Sequence, residues 1–176
     1  SRAHAQGQNR HPRDRDRSVS GADRGPFRTH HHPESAAAPL RGGQDALAPD
    51  DAALIVRGVR DLLDAGADFI VTTAGMSVDP DDLTRKGLTE AGLTDTLYGV
   101  PALPGTMTLI GRIGGAQIIG VPACALFFKT TVFDIILPRM LAGVPITRLD
   151  LAKIGNGGLC MECKVCTFPK CPFGKV

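Results

Sequence analysis

Two apolar segments of this chain each run straight into a small-residue turn, and that pattern limits the fold more than any other feature. Phe69-Ile70-Val71 leads into Thr72-Thr73-Ala74-Gly75-Met76-Ser77-Val78, and Gln117-Ile118-Ile119-Gly120-Val121 ends at Pro122-Ala123-Cys124. Short β-branched runs bounded by Gly or Pro read as buried strands. After the first turn, Asp79-Pro80-Asp81-Asp82 stand where a helix would open, running from Asp82 to about Ala91. Pro suits a first helical turn, where its missing N–H would have had no partner. Strand, small-residue turn and helix start together gather main-chain N–H groups around an anion. An acid-capped strand-to-helix connection accounts for the same spacing.

The neighbouring segments complete an α/β pattern. Asp50 can cap a helix in which Ala52, Ile55, Val56, Val59, Leu62 and Leu63 recur at helical spacing, stopped by Gly66. A helix followed closely by an apolar strand is half of a parallel α/β unit. Leu126 to Leu141 reads as a second amphipathic helix, with Pro138 kinking or ending its regular part. Thr147 to Ile154 makes one more. After about Ala91 comes a passage rich in Gly and Pro.

Thr73-Ala74-Gly75-Met76-Ser77-Val78, followed by Asp82 and Thr84, resembles the signature loop of the molybdopterin-binding domain shared by molybdopterin adenylyltransferase and molybdopterin molybdenumtransferase. Pro49-Asp50-Asp51, the turn Pro101-Ala102-Leu103-Pro104-Gly105, and Gly120-Val121-Pro122-Ala123-Cys124 resemble further segments of that family. Ala74 and Ala123 stand where the family has Gly. The resemblance covers about residues 49–145. It implies a three-layer α/β domain with a mostly parallel sheet, lacking its first strand because residues 1–44 hold no equivalent.

It also implies molybdopterin as cofactor, held around Thr73, Ala74, Gly75, Met76, Ser77, Pro122 and Ala123. Asp82 is the expected catalytic carboxylate, orienting Mg²⁺ or a reacting group. ATP or molybdate would be co-substrates, a molybdoenzyme a partner, and self-association is usual for such proteins. Cys124 fits a small buried apolar residue better than a nucleophile, since no His follows residue 32 to activate it.

Charge and composition mark off the front of the chain. Of 176 residues with net charge +2, residues 1–41 carry +4 and the remainder −2. Residues 1–44 hold all five His, including His30-His31-His32, and no Lys. They lack the apolar period a core needs, and read as a disordered or non-native tail. A mildly acidic domain behind a basic tail does not point to nucleic acid. The longest apolar stretch, Ile118 to Phe128, is about half of the roughly 20 residues a membrane span requires. No apolar leader stands at the front, so the expected location is the cytoplasm.

Four of the five cysteines, Cys160, Cys163, Cys166 and Cys171, fall at the end of the chain. The gaps between them are two, two and four residues, which suits metal ligation in a reducing compartment more than a dispersed disulfide framework. Three thiolates at two-residue spacing with a fourth from Cys171-Pro172 can hold a [4Fe–4S] cubane. The same four could close a tetrahedral Zn²⁺ site, or carry no metal. The expected organisation is a tail (1–44), the α/β domain (45–154) and a Cys-rich module (155–176). Three functions fit: molybdopterin binding with nucleotidyl or molybdate transfer, a non-catalytic molybdopterin carrier or sensor, and an iron–sulfur redox module.

Overall fold

The computed structural model describes residues 17–21, 45–48, 51–73, 75–76 and 83–175. Six strands form one sheet: β1 (Arg17–Gly21), β2 (Asp45–Ala48), β3 (Phe69–Thr73), β4 (Leu93–Tyr98), β5 (Leu109–Ile113) and β6 (Ala116–Val121). Their order across the sheet is β2-β1-β3-β6-β5-β4. The helices are α1 (Ala52–Asp64), α2 (Thr84–Glu90), α3 (Val132–Leu141) and α4 (Arg148–Ile154).

Side-chain alternation along the central strands sorts the core into two clusters. Phe69, Val71, Ile110, Ile119 and Val121 point to one face, where they meet Phe133, Ile136 and Met140 of α3 and Leu151 and Ile154 of α4. Ile70, Ile118, Leu109 and Ile113 point to the other, meeting Val59 and Leu62 of α1 and Leu88 of α2. A period of two in the strands against 3.6 in the helices leaves a three-layer arrangement as the way to bury both faces.

The sheet is mixed rather than mostly parallel. Only β3 and β6 pair in parallel among the described strands; β1 with β2, β1 with β3, β4 with β5 and β5 with β6 are antiparallel. The cause for β5 and β6 is the Gly114-Gly115 turn between Ile113 and Ala116, since a two-residue connection can only return antiparallel. Strands β4 and β5 occupy the Gly- and Pro-rich passage. A register shift between Thr94 and Leu97, with Asp95 at φ 49°, breaks the alternation of β4, as a bulge does.

Residues 17–21, inside the stretch expected to lie outside the domain, form β1 and pair with β3. Strand pairing is made by the main chain and needs no apolar period, so composition did not signal it. Two boundaries also differ from expectation. Asp51, not Asp50, caps α1, accepting from the amides of Ala53 at 2.8 Å and Leu54 at 3.1 Å. Residues 123–126 form a 3-10 turn, and α3 starts only at Val132, after a capping box made by Thr131 and Asp134. Pro138 lies inside α3, which continues to Leu141.

Candidate functional site

The parallel β3–β6 register ends at the pair Thr73 and Val121, so the two small-residue turns start side by side at the carboxyl ends of adjacent strands. Gly75 holds φ 69°, a left-handed conformation that glycine tolerates best. Met76 then drives its side chain inward to 1% exposure, into the cluster formed with α1 and α2. Its sulfur lies over Gly120, where any Cβ would collide with it. The main-chain carbonyl of Met76 accepts from the Tyr98 hydroxyl at 2.9 Å, and the Arg85 guanidinium covers the Tyr98 ring at 4.0 Å. The first turn is thus anchored from beneath by a buried thioether and from the side by the chain's one tyrosine. Met76 can offer a ligand only its main chain.

On the other strand, Pro122 is half-buried and Ala123 exposed. Burial pushes the Cys124 thiol up, opposed by hydrogen bonds from main-chain amides that include Gly105. That contact brings in the turn at Pro101–Gly105. Gly105 has φ 115°, and a Cβ there would strike Val132 at 2.7 Å. Pro104 accepts from the Val132 amide at 3.0 Å, while Thr106 and Thr108 each donate a hydroxyl back into the turn at 2.7 Å. The Pro-Gly turn, the end of β6 and the start of α3 therefore form one tied unit. Tyr98 and Gly105 were missing from the residues the sequence marked as binding. A lone tyrosine at a strand end was the available signal for the first, and the Pro-Gly motif for the second.

Of the expected site residues, Thr73, Gly75, Met76, Pro122 and Ala123 are described and lie at the two turns. Ala74, Ser77 and the catalytic candidate Asp82 lie outside the described residues, as do Asp79, Pro80 and Asp81. The helix expected from Asp82 is seen from Thr84, with Leu83 at its N-cap and no side-chain cap.

The four C-terminal cysteines lie elsewhere, around a cleft of about 230 Å³ that all four line. Its remaining walls include Phe128, Lys129, Thr130, Phe168 and Phe173. Phe173 is buried in the α3 side of the core, and meets Phe168 edge-on at 6.4 Å. A single main-chain bridge links the module to the Pro-Gly turn: Leu103 donates to Gly158 at 2.7 Å and accepts from Cys160 at 2.8 Å. Lys129 Nζ donates to the Lys164 carbonyl at 2.9 Å, and Thr130 Oγ1 shares a hydrogen with Cys166 Sγ at 3.1 Å. The Thr130 hydroxyl, followed by the Phe168 amide, holds the Cys166 thiol below its ordinary pKa. All five cysteines are free thiols. Among the described residues, no three of His, Cys, Asp and Glu are gathered so as to hold a metal ion.

The profile of the family described as "Probable molybdopterin binding domain" matches residues 43–142. The chain belongs to this family of molybdopterin-binding domains, which gives it a role in molybdenum-cofactor biosynthesis. The match spans the segments that build both turns and stops before the four C-terminal cysteines. A search of curated proteins found no match. No helix of the described residues is long and apolar enough to cross a membrane.

Proposed function

We propose that the chain binds molybdopterin at the turns that follow β3 and β6 and acts there in molybdenum-cofactor maturation. The observation that carries this reading is the parallel register, which starts both turns side by side at strand carboxyl ends, where open α/β sheets take their ligands. Main-chain N–H groups from Thr73 to Ser77 hold the pterin's phosphate, and Pro122 with Ala123 flanks the pterin. Asp82 orients Mg²⁺ or a reacting group. Mg²⁺ commonly arrives bound to substrate phosphates and takes one or two carboxylates from the protein, which matches a site with one such candidate.

With no His beyond residue 32, the step available is group transfer by positioning and electrostatics, onto the pterin phosphate from ATP or to the pterin from molybdate. In the nucleotide case a pterin phosphate oxygen attacks the α-phosphorus and pyrophosphate leaves. Ala74 and Ala123, each a methyl larger than the family Gly, favour a second reading, a carrier that binds the pterin without turnover. A molybdoenzyme is then the partner that receives it.

The test is titration of the anaerobic 176-residue chain with molybdopterin, followed by turnover with Mg²⁺-ATP or molybdate. The Ser77 hydroxyl adds one donor to that main-chain set, and Ser77→Val is expected to weaken binding about tenfold through its loss. Asp82→Asn is expected to keep binding and lose turnover. Binding without turnover in the wild type selects the carrier, and absence of saturable binding by protein with native unfolding behaviour overturns both.

A further inference from the structure

We propose that the cleft lined by Cys160, Cys163, Cys166 and Cys171 is a [4Fe–4S] cluster site, set against the side of the domain that carries the β6 turn. This inference is independent of the pterin reading. Its basis is that all four cysteines line one cleft at cluster-ligand spacing. A zinc ion with four thiolates at about 2.3 Å requires every pair of sulfurs to stand about 3.8 Å apart. A cubane asks for the opposite: one thiolate for each iron corner, arranged around a volume the cluster fills. All four cysteines line one cleft of about 230 Å³, at gaps of two, two and four residues that suit three corners of a cubane and a fourth.

The surroundings suit the same occupant. Phe168 and Phe173 wall one side of the cleft, and Phe173 is anchored in the core at 3% exposure. That wall therefore stays fixed while the thiolates take up their ligands. Lys129 and Lys164 line the cleft against the single acid Glu162, offsetting the negative charge of a thiolate-bound cubane. Thr130 stands 3.1 Å from Cys166 Sγ, and a hydrogen bond to a ligating sulfur tunes a cluster's potential. Each cysteine gives up its S–H proton on ligation. Equal ferrous and ferric iron with matching sulfide supplies the resting cubane, so assembly needs no outside electron.

The cleft also shares a segment with the other site. Residues 122–126 form the turn after β6, and residues 127–130 wall the cleft directly afterwards. The Leu103 bridge to Cys160 provides a second link from the Pro-Gly turn.

The experiment is anaerobic reconstitution of the full chain with ferrous iron, ferric iron and sulfide, with a parallel incubation in zinc alone. About four iron and four sulfide per chain are expected, with a broad visible absorption band and a paramagnetic signal after reduction. Cys160→Ser, Cys163→Ser and Cys171→Ser are each expected to lose most of the iron, while Cys124→Ser keeps it. Circular dichroism and urea unfolding of each apo variant separate lost ligation from lost fold. Thr130→Val is expected to keep full iron content and lower the reduction potential, because a hydrogen bond that stabilises the more negative reduced cluster is gone. One tightly held zinc per chain with no iron uptake overturns the proposal, as does the absence of both metals, or iron retained by all three ligand variants. An unchanged potential in Thr130→Val removes Thr130 from the account.

Discussion

The two strand-end turns and the cysteine cleft are built from opposite materials. In the proposed pterin site the turns offer a ligand main-chain N–H groups, so what shapes them is what lies beneath: the buried Met76 side chain, Tyr98 bonded to the Met76 carbonyl, and Gly105 held against Val132. The cleft offers side-chain sulfur, on a segment tied to the domain by the Leu103 bridge, the Lys129 and Thr130 contacts and the buried Phe173. A main-chain site should therefore fail when packing below it changes, and a side-chain site when a donor changes. Exchanging those sensitivities would break the comparison.

Gly105→Ala carries the largest expected effect. The new Cβ meets Val132 and must adopt φ 115°, which together cost about 3–4 kcal/mol, read by urea unfolding. Molybdopterin affinity should fall with it. Met76→Ala removes a side chain 1% exposed and leaves a cavity, for about 3 kcal/mol. Pterin binding should drop more steeply than iron uptake, and an equal loss of both would count against separate sites. Tyr98→Phe deletes the 2.9 Å bond to the first turn at a cost of about 1 kcal/mol. Its signature is a weaker pterin complex with normal cluster content.

The smallest effect concerns pH, and two helix caps of one design sharpen it. Thr147 and Asp150 form a capping box on α4, as Thr131 and Asp134 do on α3. Hydrogen bonds from Thr147 lower the Asp150 carboxyl's pKa, whereas burial raises that of Asp134. The contribution of Asp150 is present above its unfolded pKa and is lost as pH falls through its lower folded value. That of Asp134 is present at low pH and is lost as pH rises through its elevated folded value. Melting temperatures of Asp150→Asn and wild type should therefore converge in acid, and a gap that widens there would refute the assignment.

What could be read from residues alone follows the same division. Helix α1 and strands β3 and β6 were legible because their apolar residues keep a period and stop at Gly or Pro. Strand β4 was hidden by the bulge at Asp95, and β5 by the Gly- and Pro-rich passage around it. Strand β1 left no mark because its pairing with β3 is main-chain work. The late start of α3 comes from the 3-10 turn after Pro122 and the Thr131–Asp134 capping box. At the turns, resemblance marked the candidate ligand-binding residues, while the packing that makes Tyr98 and Gly105 supports is visible only in three dimensions. At the cleft, spacing marked all four cysteines, but that they line one cleft is a fact of the fold.

The central claim is that both turns contact one pterin. Hydrogen–deuterium exchange of the full chain, with and without molybdopterin, tests it most directly. The account predicts slowed exchange at Gly75–Met76 and at Ala123–Cys124 together, with residues 160–171 unchanged. Protection at one turn only, or confined to the cysteine segment, would contradict it.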